Sequence, residues 1–75
     1  MPRLPVVSGL EMVRALQRAG FAVQRVTGSH HYMMLGDTNL SVPVHGSKSL
    51  PKGLTSSLVK QAGLTVDEFI SLLNQ

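Results

Sequence analysis

The 75 residues carry seven Lys and Arg against four Asp and Glu, a formal net charge of +3, and no cysteine. That length makes one compact domain over residues 1–75, which buries only about 60% of its unfolded-chain surface, and the missing thiols exclude a disulfide framework, a thiolate zinc site and a cysteine nucleophile. Apolar runs too short for a bilayer and an N-terminus without a signal-type apolar region lead us to expect a soluble, cytoplasmic chain with no membrane partner, whose basic balance favours a polyanion such as nucleic acid.

Ser8 and Glu11 have the spacing of a capping box and open a helix over about residues 9–19 that stops at Gly20. Met12, Val13, Leu16 and Ala19 form its apolar arc. Glu11, Arg14 and Arg18 gather on the other side, which reads as a solvated face with the arginines paired to Glu11. The run Phe21 to Val26 is a predicted strand, and Tyr32 to Leu35 is a second. Between them Gly28-Ser29-His30-His31 reads as a tight turn, because Gly accepts positive φ and Ser can bond its own backbone. Gly36-Asp37-Thr38 turns the chain again. In the third strand Leu40, Val42 and Val44 alternate with Asn39, Ser41 and Pro43. Pro43 has no N–H to give a ladder and marks an edge or a strand end.

His45 to Leu50 reads as a loop. Pro51 suits a first helical turn, and Leu54, Leu58 and Ala62 recur at helical spacing up to Gly63. Thr65 and Glu68 make a second capping box before the buried stripe of Val66, Phe69, Ile70 and Leu73. The expected architecture is therefore an α+β fold, α-β-β-β-α with a short extra C-terminal helix and a three-stranded antiparallel sheet. This is the element order of double-stranded-RNA-binding domains.

The histidines are the groups best suited to chemistry, since an unperturbed imidazole, with pKa about 6.5, both gives and takes protons near neutrality. His30 and His31 follow the Gly-Ser turn; on a strand, neighbours point to opposite faces, so only one of them can serve a given site and His31 reads as an orienting residue. The four acidic residues are scattered. The sequence thus offers no two-metal nuclease site, and no metal or other cofactor is expected.

Leu4-Pro5-Val6, Gly20-Phe21, Gly28-Ser29-His30, Val42-Pro43 with His45, Lys52-Gly53, Lys60-Gln61-Ala62-Gly63-Leu64 and Glu68-Phe69 occur in an order that closely resembles the HicA (YcfA-like) family of toxins. The similarity covers nearly the whole chain. It implies a double-stranded-RNA-binding-like fold, metal-independent cleavage of mRNA, and neutralisation by a HicB-like antitoxin protein. It also implies that His30, directly after Gly28-Ser29, is the catalytic histidine. The chain departs from the family at Gly53-Leu54-Thr55-Ser56, where the family carries Gly-Thr-Leu-Arg.

RNA is cleaved without a metal once a base removes the 2′-hydroxyl proton and the alkoxide attacks the adjacent phosphorus, a step that a placed histidine speeds by roughly 10²–10⁴-fold. The second proton transfer and the phosphorane charge call on His31, His45, Lys48, Lys52 or water. Lys48, Lys52, His45 and Lys60 are the expected RNA-binding residues. Two other functions remain open on the residues alone: a non-catalytic RNA-binding module in which His30 is a turn residue, and a protein-interaction domain that recruits a partner strand at its sheet edge.

Overall fold

The computed structural model describes residues 3–75. In chain order its elements are α1 (Gly9–Arg18), β1 (Ala22–Thr27), β2 (His30–Leu35), β3 (Thr38–Pro43), α2 (Lys52–Gln61) and α3 (Val66–Leu73). Both expected capping boxes are formed. The Glu11 amide donates to Ser8 Oγ at 3.2 Å while the Ser8 amide donates to the Glu11 carboxylate at 2.8 Å. Thr65 and Glu68 repeat the exchange at 3.1 and 2.8 Å, so each helix start satisfies amides that would otherwise be orphaned.

With its carboxylate committed to Ser8, Glu11 is not the partner that holds Arg18. The Arg18 guanidinium instead donates to the Leu72 carbonyl at 2.7 Å and the Leu73 carbonyl at 3.4 Å. A cation thus sits on the unsatisfied carbonyl end of α3, the favourable end for positive charge, and ties that helix to α1. Pro51 stands just outside α2 rather than in its first turn. Its carbonyl accepts from the Thr55 amide at 3.0 Å and from the Thr55 hydroxyl at 3.2 Å, which accounts for a threonine only 1% exposed.

The sheet order is β1-β2-β3, with β2 antiparallel to both neighbours. Thr27 pairs with His30 and Leu35 with Thr38, so each hairpin closes through two residues, Gly28-Ser29 and Gly36-Asp37. The glycine that begins each turn has φ of 58°, the conformation a type II′ hairpin turn requires at that position. Consequently β2 begins at His30, earlier than the apolar run alone predicts. Pairing on both sides, with Thr27 and Val26 across one ladder and Pro43 and Val42 across the other, outweighs the modest strand preference of histidine. Thr38 likewise belongs to β3 and not to the turn.

One face of the sheet holds Met33, Leu40 and Val42, all buried, against Met12, Val13 and Leu16 of α1, Leu58 and Val59 of α2, and Phe69 of α3. The alternate residues, among them His30, Met34, Asn39 and Ser41, are exposed on the other face. Among the described residues no helix is long and apolar enough to cross a membrane.

Candidate functional site

Gly28 and Ser29 form the turn that sets His30 at the first paired position of β2. Beyond the turn the Val44 amide donates to the Ser29 carbonyl at 2.6 Å, which holds the end of β3 against the hairpin. His30 is exposed, paired with Thr27 on one side and Pro43 on the other. His31 lies on the opposite face beside fully buried Val42, and its Nδ1 is buried with no hydrogen-bond partner among the described residues. Adjacent in sequence, the two imidazoles are separated by the sheet, and only His30 meets solvent on the open face.

From the sequence Tyr32 reads as a core or sheet-face residue rather than a base-stacking platform, and the structure gives it a half-buried place on the open face of the sheet. It lies two positions along β2 on the same face as His30, with the two ring centroids 6.3 Å apart and the planes inclined by 29°. The Arg25 guanidinium sits over the Tyr32 ring, 4.8 Å from its centroid, within the range of a cation–π contact. Arg25 reaches this face through a β-bulge: the β1–β2 register shifts between Val23 and Arg25, so Gln24 is the extra residue and Arg25 pairs with Tyr32. Without the bulge, strict alternation from half-buried Val23 would send Arg25 to the helix-covered face. The alternation of His30, Tyr32 and Met34 was readable in the sequence; the bulge was not.

The second group of expected residues gathers at the end of β3. The Lys48 amide donates to the His45 carbonyl at 3.0 Å, closing a turn over Gly46, whose φ is 58°. His45 and Lys48 therefore share one tight turn, and both are exposed. With Pro43, Pro51 and Leu54 they line a groove of about 360 Å³, and Pro43 is also the residue paired with His30. Lys52, exposed, opens α2 directly after Pro51. Lys60 is apart from this group: it lies in the last turn of α2, roughly 12 Å along the helix axis from Lys52.

The acidic side chains are placed elsewhere. Glu11 and Glu68 are held in capping boxes, and Asp37 occupies the far hairpin, roughly 17 Å along β2 from His30. The described residues contain no group of three His, Asp or Glu able to hold a metal ion. What the site offers is an exposed imidazole, His30, on the open sheet face and a second, His45, sharing a turn with Lys48 beyond Pro43, groups able to move a proton beside a bound polyanion.

A family model described as the HicA toxin of bacterial toxin-antitoxin matches residues 9–64, a span that includes Gly28-Ser29-His30 and the His45–Lys52 loop. The chain is also similar to a probable mRNA interferase HicA of Pseudomonas fluorescens (strain Pf0-1), being 39% identical over 54 residues that make up 72% of this chain and 90% of that protein.

Proposed function

This chain belongs to the HicA family of bacterial toxins, and from that premise we propose that it is an endoribonuclease that cleaves mRNA without a metal, with His30 as general acid or base. The observation that carries the reading is the coincidence of two facts at one residue: His30 falls inside the family match, and its imidazole is exposed on the open sheet face next to Pro43. A buried histidine could not meet a chain as bulky as RNA. This one can.

In the proposed reaction His30 takes the 2′-hydroxyl proton or delivers one to the departing 5′-oxygen. The 2′-oxygen bonds to phosphorus, the P–O5′ bond breaks, and the products are a 2′,3′-cyclic phosphate and a 5′-hydroxyl. Lys48 and Lys52, flanking the groove that starts at Pro43, would hold the neighbouring phosphates and stabilise charge building on the phosphorane. Gly28 and Ser29 shape the turn that sets His30, while His31, on the covered face, supports the strand and stays out of the chemistry. The carboxylates lie at helix starts and in the distant hairpin, a donor set unsuited to a paired-metal mechanism.

The partner in this reading is a HicB-like antitoxin that covers His30 or blocks the basic approach to it. Recruitment of a strand at the sheet edge is less favoured, since β1 carries a bulge and β3 ends on Pro43, both of which interrupt edge pairing. The test of the nuclease is to incubate purified protein with RNA in excess EDTA and map the ends. Cyclic phosphate termini are expected, and a 2′-deoxy substitution at the cleaved nucleotide should block the cut. A strict Mg²⁺ requirement, or cleavage of the deoxy substrate at the same site, excludes the mechanism.

A further inference from the structure

The Arg25–Tyr32 pair has no role in the proton chemistry and is exposed on its Arg25 side, next to the residue to which that chemistry is assigned. Beside it lies a shallow cavity of about 280 Å³ lined by Gln24, Arg25, Tyr32, Met34, Asn39 and Ser41. That volume is near the lower limit of about 300 Å³ for ligand pockets, the scale of one planar ring system rather than a peptide. Its floor is aromatic and apolar. Gln24, Asn39 and Ser41 in its lining carry amide and hydroxyl groups, which offer both donors and acceptors.

We propose that this cavity on the open sheet face is a nucleobase site, taking one unpaired base of single-stranded RNA while the adjoining phosphate reaches His30. The proposal rests on the reading of the protein as an RNA-cleaving toxin and adds which part of the substrate is gripped. Three features favour a base over other occupants. A guanidinium plane and an aromatic ring in contact form the kind of stacking surface on which unstacked bases settle. Arg25, held over the Tyr32 ring, supplies the charge that a nucleotide complements. The bulge that brings Gln24 and Arg25 together opposite Tyr32 concentrates these groups on one side of the strand. Because Tyr32 follows His30 by two residues on the same face, a stacked base fixes the position of its own ribose relative to the imidazole. The site is thus a means of choosing where the chain is cut.

Tyr32 is the one tyrosine of a chain without tryptophan, so intrinsic emission reports this cavity alone. The native protein is titrated with a 2′-O-methyl oligoribonucleotide, which lacks the attacking hydroxyl, and with an abasic oligomer of equal length. The first should quench Tyr32; the second should bind through its backbone without quenching and about 5- to 100-fold more weakly. Tyr32→Ala and Tyr32→Leu should lose affinity for the base-bearing oligomer by a similar factor, and Tyr32→Phe should keep it. Equal affinity for the two oligomers overturns the proposal without reference to any variant. So does quenching by a purified antitoxin with no response to either oligomer, which would assign the face to a protein partner. RNA cleavage with an unresponsive Tyr32 refutes the base site and leaves the nuclease standing; a responsive Tyr32 in a protein that cuts nothing supports the site and removes the nuclease.

Discussion

Gly9, at the first turn of α1, is packed so closely on the end of β3 that a Cβ there would collide with the Pro43 carbonyl oxygen and lie 2.9 Å from the Val44 Cα. Both obstacles are backbone, held by the pairing of Pro43 with His30 and by the Val44 amide bond to Ser29. Neither can rotate away as a side-chain tip would. Gly9→Ala is therefore expected to destabilise the protein by about 1–3 kcal/mol, the usual cost of overpacking, and to lower RNA cleavage because the strain falls on the residue paired with His30. Urea denaturation gives the first quantity and a cleavage assay on the folded fraction the second; an alanine variant of native stability would mean that the two backbones are not so close.

His30→Ala should abolish cleavage and growth toxicity while changing stability by no more than about 0.5 kcal/mol, since the ring is exposed. Circular dichroism and a gel assay on the same preparation decide it. Retained cleavage would remove His30 from the mechanism.

Lys48→Ala and Lys52→Ala should each weaken RNA binding and reduce the salt dependence of log K by about 0.7 for every phosphate that the variant no longer neutralises. Lys60→Ala, at the far end of α2, should do less. Affinity measured at several salt concentrations separates these effects from those of His30→Ala, which should leave the slope unchanged.

Arg18→Ala removes a charged donor from the Leu72 carbonyl, 54 residues away in the chain. A loss of about 1 kcal/mol is expected, with faster amide exchange in the last turn of α3, because the carbonyl end of that helix loses both a hydrogen bond and a favourable charge. Arg14→Ala on the same helix is the comparison and should cost less.

Antitoxin and RNA should compete. An inhibitor that covers His30, or that is steered onto the cations around it, cannot share the surface with substrate. Displacement of labelled RNA by the cognate antitoxin is the expected result, and a ternary complex with unchanged RNA affinity would put inhibition at a distance from His30.

What could be read from the sequence was what depends on neighbours along the chain. Ser8 with Glu11 and Thr65 with Glu68 announce their helices within four residues, and Gly28 and Gly36 announce their hairpins. The separation of His30 from His31 followed from strand alternation alone. What stayed hidden depends on residues brought together by packing. The bulge at Gln24 reverses the face of Arg25, so alternation misplaces it; Arg18 finds carbonyls at the far end of the chain rather than Glu11 on its own helix; and Gly9 answers to a strand end that no local pattern connects with it. Each is a case of tertiary packing overruling a local rule.

The two-residue hairpins bear on how fast the protein acquires its shape. Each strand pairs with its successor in the chain, so the sheet closes without first bringing distant segments together, and the loop entropy that slows most β-structures is small here. His30, Tyr32 and Arg25 all lie within that meander. The working surface is thus built from local pairings, each closed by a two-residue turn, and needs no long loop closure of its own.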